Sequence, residues 1–344
     1  MPELREVFEM TTKQIEPDVD AWREQERHQR RSGRNKKIGA FAVAAVIGLV
    51  AVVLIVVSRP GTETTTPGGD GSPRRVPQIF TPSLLDLQTG DVTSLPEAIE
   101  GGSIYSVSPD GTMFAYSRCC SAPNPVLMAN VDGTEVRPLT PQGVDGIGPR
   151  WSPEGSSVVY QRRDFTTLEI GNLVVVDTSS GATTQITDLD PEKSHGWWFM
   201  APSFSPDGQT IIFQLARSRH GADSRWDVWS VPVTGGDSTL LVRDASMGVY
   251  APDGRTLAYV DSPRGYWTSP VLMLADADGS GPRALVEGDA IEFPRWSPDG
   301  TRIAYADAGG IRVVDVATGE TSLVSIGERA DWVDEDTLVI VPQE

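Results

Sequence analysis

The chain has 344 residues, 39% of them apolar, and a formal net charge of −18. That length and composition can bury a substantial core. Beyond residue 37 acidic side chains outnumber basic ones about two to one, which excludes nucleic acid as the main domain's partner, because phosphate binding needs an excess of Lys and Arg.

Residues 1–37 form a polar segment that ends strongly basic, with Arg23, Arg27, Arg30, Arg31, Arg34, Lys36 and Lys37. Leu4, Val7 and Phe8 share a face at helical spacing, as do Val19 and Trp22 after the Pro17-Asp18 start signal. Two readings stay open for this cytoplasmic basic segment: a charged leader without a partner, or a docking peptide for a cytosolic protein. Residues 38–57 carry no charge and are built from Ala, Val, Ile, Leu, Gly and Phe. At about 1.5 Å per residue they span about 30 Å, the thickness of a bilayer's hydrocarbon core. A single transmembrane helix is therefore expected. A cleaved signal peptide is the alternative, but the apolar run is long and no A-x-A site follows it. The basic residues precede the span and only Arg59 stands immediately after it, so the positive-inside rule puts the N-terminus in the cytoplasm and the large domain outside. Residues 58–77, rich in Pro, Gly and Thr, read as a flexible stalk.

Residues 78–344 are repetitive. Trp296-Ser297-Pro298-Asp299-Gly300 is echoed by Ser108-Pro109-Asp110-Gly111, Ser152-Pro153-Glu154-Gly155, Ser205-Pro206-Asp207-Gly208 and Ala251-Pro252-Asp253-Gly254, with starts 44, 53, 46 and 46 residues apart. This is the period of a four-stranded propeller blade. The tetrapeptide is turn chemistry: Pro presets φ, Asp bonds the backbone beyond it, and Gly supplies a positive φ. Each turn leads into a run such as Val158-Val159-Tyr160 or Ile303-Ala304-Tyr305, without polar alternation, as a strand covered on both faces requires. Leu84 to Asp91 matches Val313 to Glu320, the second hairpin of a unit, while Trp332 to Ile340 looks like a first hairpin without a second. Five full units and these two halves predict an all-β, six-bladed propeller whose terminal halves pair, removing exposed strand edges.

These motifs resemble the TolB-like, WD40-like (PD40) propeller family, with its W-S-P-D-G turn and a second hairpin seen here at Val131-Asp132-Gly133, Val176 to Gly181, Val233 to Gly236, Ala277-Asp278-Gly279 and Val316 to Gly319. The resemblance covers roughly residues 78–344 and implies a fold rather than an activity. It departs from TolB in having an apolar span where TolB has a separate α/β domain, which weakens any envelope-complex role carried over from TolB.

In a propeller the Ser-Pro-Asp-Gly turns and the second hairpin turns emerge on one face, and the loops within blades on the other. Here the second face has the long loops, where binding usually sits. Its ligand-binding candidates are Arg162, Arg163, His195, Trp197, Trp198, Arg217, Arg219, His220, Arg225, Arg264, Tyr266 and Trp267, cations interleaved with aromatics on an acidic domain. An anionic or glycan-like ligand, or an acidic protein patch, would suit them; the opposing reading is that several of the Trp only plug loops onto blades. No G-x-S-x-G elbow of a serine hydrolase is present. His195 and His220 are the only histidines beyond the span, too few for a metal site of the usual kind, and Asp276-Ala277-Asp278-Gly279 reads as a turn rather than a calcium loop. Neither catalytic residue, metal nor cofactor is expected. The adjacent Cys119 and Cys120 would form a strained vicinal disulfide outside the membrane, or stay free or pair between molecules. The expected protein is a non-catalytic binding propeller at the cell membrane, with an unknown extracytoplasmic protein or glycan as partner. The alternatives are a sensor whose residues 1–37 bind a signalling or transcriptional partner, and a glycan-active enzyme.

Overall fold

Each Ser-Pro-Asp-Gly turn folds the same way, and the ring follows from that repetition. In a computed structural model, described for residues 65–67, 73–77, 79, 81–100, 102, 104–117, 124–163, 171–189, 200–216, 225–261 and 269–342, Gly300 has φ +71° and its N–H donates to the Ser297 carbonyl. The Ser297 hydroxyl donates to Asp299 at 2.6 Å and accepts from the Arg302 N–H at 2.9 Å, and Asp299 also accepts from the Thr301 N–H. The same bonds recur around Ser108 and Ser205. Local chemistry alone thus closes each hairpin.

Six four-stranded antiparallel sheets result. We number the blades 1 to 6 and call their strands a to d from the axis outward. The a strands are Ile104–Val107, Asp145–Trp151, Ser203–Phe204, Ala245–Tyr250, Glu292–Trp296 and Arg329–Trp332. Blade 6 joins two distant stretches: Thr337–Val341 pairs with Ser83–Asp86, Leu338 opposite Leu85. The two predicted half-units therefore meet and close the ring.

Among the described residues six apolar clusters lie one between each pair of neighbouring blades. In blade 2 Val158 enters the cluster shared with blade 1, and Val159 the one shared with blade 3. Both are completely buried, which explains why strand b shows no polar alternation. The motif Trp side chains tie the blades together. The indole N–H of Trp151 donates to the Ser106 carbonyl at 3.1 Å, that of Trp296 to Val249 at 3.3 Å, and that of Trp332 to Arg295 at 3.0 Å, in each case one blade back.

Strand a is bulged in blades 2, 4 and 5, and Ala201, just ahead of it in blade 3, shares the backbone conformation. Gly148, Ala201, Met247 and Phe293 stand four residues before the turn's first position in blades 2 to 5, with φ of +66°, +44°, +55° and +52°. A non-glycine residue there costs about 1–2 kcal/mol, so neighbours must hold it. The Gln214 side chain accepts from the Met247 N–H at 2.8 Å, and the Met247 sulfur from the Phe293 N–H at 3.0 Å.

Thr65–Pro67 pairs with Pro73–Arg75 in a small hairpin within the stretch expected to be a flexible stalk. No described helix is long and apolar enough to cross a membrane; the apolar stretch 38–57 lies outside the described residues, as does the cytoplasmic basic segment 1–37.

Candidate functional site

The chain order of the strands puts the Ser-Pro-Asp-Gly turns on one face and the outer ends of strands b and c, where the long connections leave, on the other. Of the residues predicted for the long-loop face, three are described. Arg162 and Arg163 end strand b of blade 2 (Ser157–Arg163), Arg162 exposed and Arg163 partly covered, so that desolvation lowers the Arg163 pKa. Arg225 stands before strand c of blade 3 (Trp226–Pro232) and pairs with Asp244 at 3.1 Å. All three therefore sit on the long-loop side of two neighbouring blades. His195, Trp197, Trp198, Arg217, Arg219, His220, Arg264, Tyr266, Trp267, Cys119 and Cys120 lie outside the described residues. Among the described residues no group of three His, Cys, Asp or Glu could hold a metal ion.

The axis holds a second site, which the loop-centred reading missed. Two residues before each turn's first position, the a strands place Ser106, Arg150, Ser203, Val249, Arg295 and Asp331 around the channel. Arg150 belongs to blade 2 and Arg295 to blade 5, on opposite sides of the ring. These residues floor an open cavity of about 410 Å³ on the turn face, whose mouth includes Pro109, Pro153, Pro206, Pro252 and Pro298 from five turns. Tyr105, Arg150, Phe293, Arg295, Arg329 and Asp331 also border a small pocket of about 10 Å³, room for about one water. The signal was in the sequence, as an Arg directly before the motif Trp in Arg150-Trp151 and Arg295-Trp296, but its meaning needs the ring.

Charge in this throat is unevenly matched. The Arg150 guanidinium donates to the carbonyls of Tyr105 at 3.1 Å and Pro149 at 3.0 Å. Burial pulls its pKa down, the Asp331 carboxylate pushes it back up, and Arg329 lowers it further. Arg295 is 9% exposed, donates to the Pro294 carbonyl at 2.7 Å, and its buried Nε has no hydrogen-bond partner among the described residues. The Arg329 guanidinium lies 4.4 Å over the Phe293 ring, a cation–π contact. Asp331 is the acid among them. Burial raises its carboxyl above the ordinary value, while the Arg150 charge and the N–H groups of Trp332 and Val107 pull it back. Among the described residues Arg150 and Arg295 border the cavity with one carboxylate, Asp331, an arrangement suited to holding an anion.

No family model matches the chain. It is 25% identical over 231 residues to an uncharacterised protein of Agrobacterium fabrum, covering 61% of this chain and 73% of that one. It is 33% identical over 178 residues to the Tol-Pal system protein TolB of Anaeromyxobacter dehalogenans, half of this chain (50%) and 37% of that protein. The chain thus spans well under half the length of that relative. A solved structure of a TolB candidate from Agrobacterium tumefaciens superposes with a TM-score of 0.57 at 16% identity, covering 76% of this chain and 98% of the other. Similarity in sequence to TolB over half of the chain and a six-bladed ring shared with a solved TolB-like structure together support a TolB-like β-propeller.

Proposed function

We propose that the propeller is a non-catalytic binding module, displayed outside the cytoplasm and held at the cell membrane by residues 38–57, with the N-terminus inside. Its recognition surface is the long-loop face, built from Arg162, Arg163, His195, Trp197, Trp198, Arg217, Arg219, His220, Arg225, Arg264, Tyr266 and Trp267, and its partner is an extracytoplasmic protein or glycan carrying negative charge. The observation that carries this reading is the contrast between faces: one has short turns of one design, whereas the loops of the other differ in length and collect cations and aromatics. Relatives of the TolB kind are consistent with a binding role.

The test is a pull-down from cell envelopes and a glycan array, both with the full-length protein, compared with a Trp197→Ala, Arg219→Ala double variant. Loss of a specific partner at an unchanged melting temperature is expected. A partner retained by the double variant, or a large fall in stability, would show that these side chains do not form the recognition surface.

A further inference from the structure

We propose that the axial funnel on the turn face is a binding site for a small organic or inorganic oxyanion, held between Arg150 and Arg295. This site is independent of the long-loop face. Three observations carry it. The first is placement: identical strand positions in opposite blades bring two guanidinium groups to the lining of one cavity. The second is incompleteness. Arg295 is nine-tenths buried, its Nε lacks a partner, and among the described residues neither Arg150 nor Arg295 is in ion-pair contact with a carboxylate. A buried guanidinium that meets only backbone carbonyls still has fork donors to offer a carboxylate or phosphate. The third is size: about 410 Å³ lies within the range of small-molecule sites, and Trp151, Tyr250 and Trp296 on its wall could cover an organic body attached to the anion.

The Asp331 carboxylate gives the idea a sharp sign. It lies in the same ring and attracts Arg150, so it opposes an incoming anion. Removing its charge should therefore improve binding, an outcome that a purely structural role for the ring does not produce.

The experiment is calorimetric titration of the full-length protein with inorganic phosphate and, separately, with citrate, in buffer containing 0.15 M sodium chloride, about the physiological ionic strength. Line broadening in the phosphorus NMR signal of phosphate serves as a second readout. Saturable binding of at least one probe is expected, with a Kd of about 1 mM or tighter. Which probe binds more tightly tells phosphate from carboxylate ligands. Arg295→Gln and Arg150→Gln should each weaken binding at least tenfold, and Asp331→Asn should tighten it severalfold. Should Arg295→Gln fail to fold, the other two variants decide. No saturable binding of either probe, binding unchanged in the folded Arg variants, or binding weakened by Asp331→Asn would each overturn the proposal.

Discussion

The turn that ends each a strand and the residue two places before it are near neighbours, yet they repeat in opposite ways. The turn keeps one design, with serine, aspartate and glycine bonded alike in blades 1, 3 and 5. The upstream position holds Ser106, Arg150, Ser203, Val249, Arg295 and Asp331, four residue types of differing charge and size over six blades. What recurs answers the same backbone problem in five blades. What varies is free to make a single asymmetric site at the axis, because no blade needs a particular side chain there in order to form. In this molecule repetition marks the scaffold, and its failure marks where chemistry can be placed.

That contrast can be broken at its strongest point first. Ending the chain after Trp332 removes Leu338, Val339 and Ile340, which are at most 1% exposed, and leaves Leu85 without its ladder partner. The cooperative thermal transition seen by circular dichroism should be lost; an unchanged transition would mean that the other five blades stand without closure. Next comes the strap between blades. Trp332→Ala removes a 5% exposed side chain, its bond to the Arg295 carbonyl, and the surface under the Arg302 guanidinium 5.1 Å away. A destabilisation of about 3–5 kcal/mol is expected in denaturant titration, against about 1 kcal/mol for Trp332→Phe, which loses chiefly the hydrogen bond.

Within one turn, Ser297→Ala deletes a donor to Asp299 and an acceptor for the Arg302 N–H, costing about 1 kcal/mol. Acid provides a milder probe of the same device. The Ser297 hydroxyl, with the Thr301 donors, holds the Asp299 carboxyl at about 2, and the Ser180 N–H with neighbouring serine groups holds Asp177 at about 2. A carboxyl depressed in the folded state stabilises it above the unfolded value of about 3.9 and loses that contribution as pH falls toward 2. Stability measured between pH 5 and pH 2 (a range bracketing those two values) should therefore decline, and Asp299→Asn should flatten the decline. Smallest is Arg225→Ala. Its pair with Asp244 joins side chains 49% and 30% exposed, so stability should change by about 0–1 kcal/mol. Any larger effect of that variant should appear in partner binding.

The fold was legible because turns are local: Pro, Asp and Gly state their backbone requirements within four residues, and five copies state the period. Even closure could be read, since Leu84 to Asp91 matches a second hairpin and Trp332 to Ile340 a first. The axial site was not legible by the same route. Arg150 and Arg295 are 145 positions apart and look like ordinary polar residues beside a Trp; only the ring sets them face to face. Tyr105, Phe293 and Arg329 were equally silent, because the positive φ of Phe293 comes from the bulge and not from its residue type.

The shared blade has a consequence for synthesis. Ser83–Asp86 leaves the ribosome long before Thr337–Val341, and at about 5–20 residues per second the interval is on the order of tens of seconds. Throughout it, one edge of the nascent protein waits with unmet backbone donors and acceptors, open to another copy's strand. The closing strand thus acts as a timer as well as a latch, and crowding on the translating message is the circumstance in which two unfinished rings could exchange it.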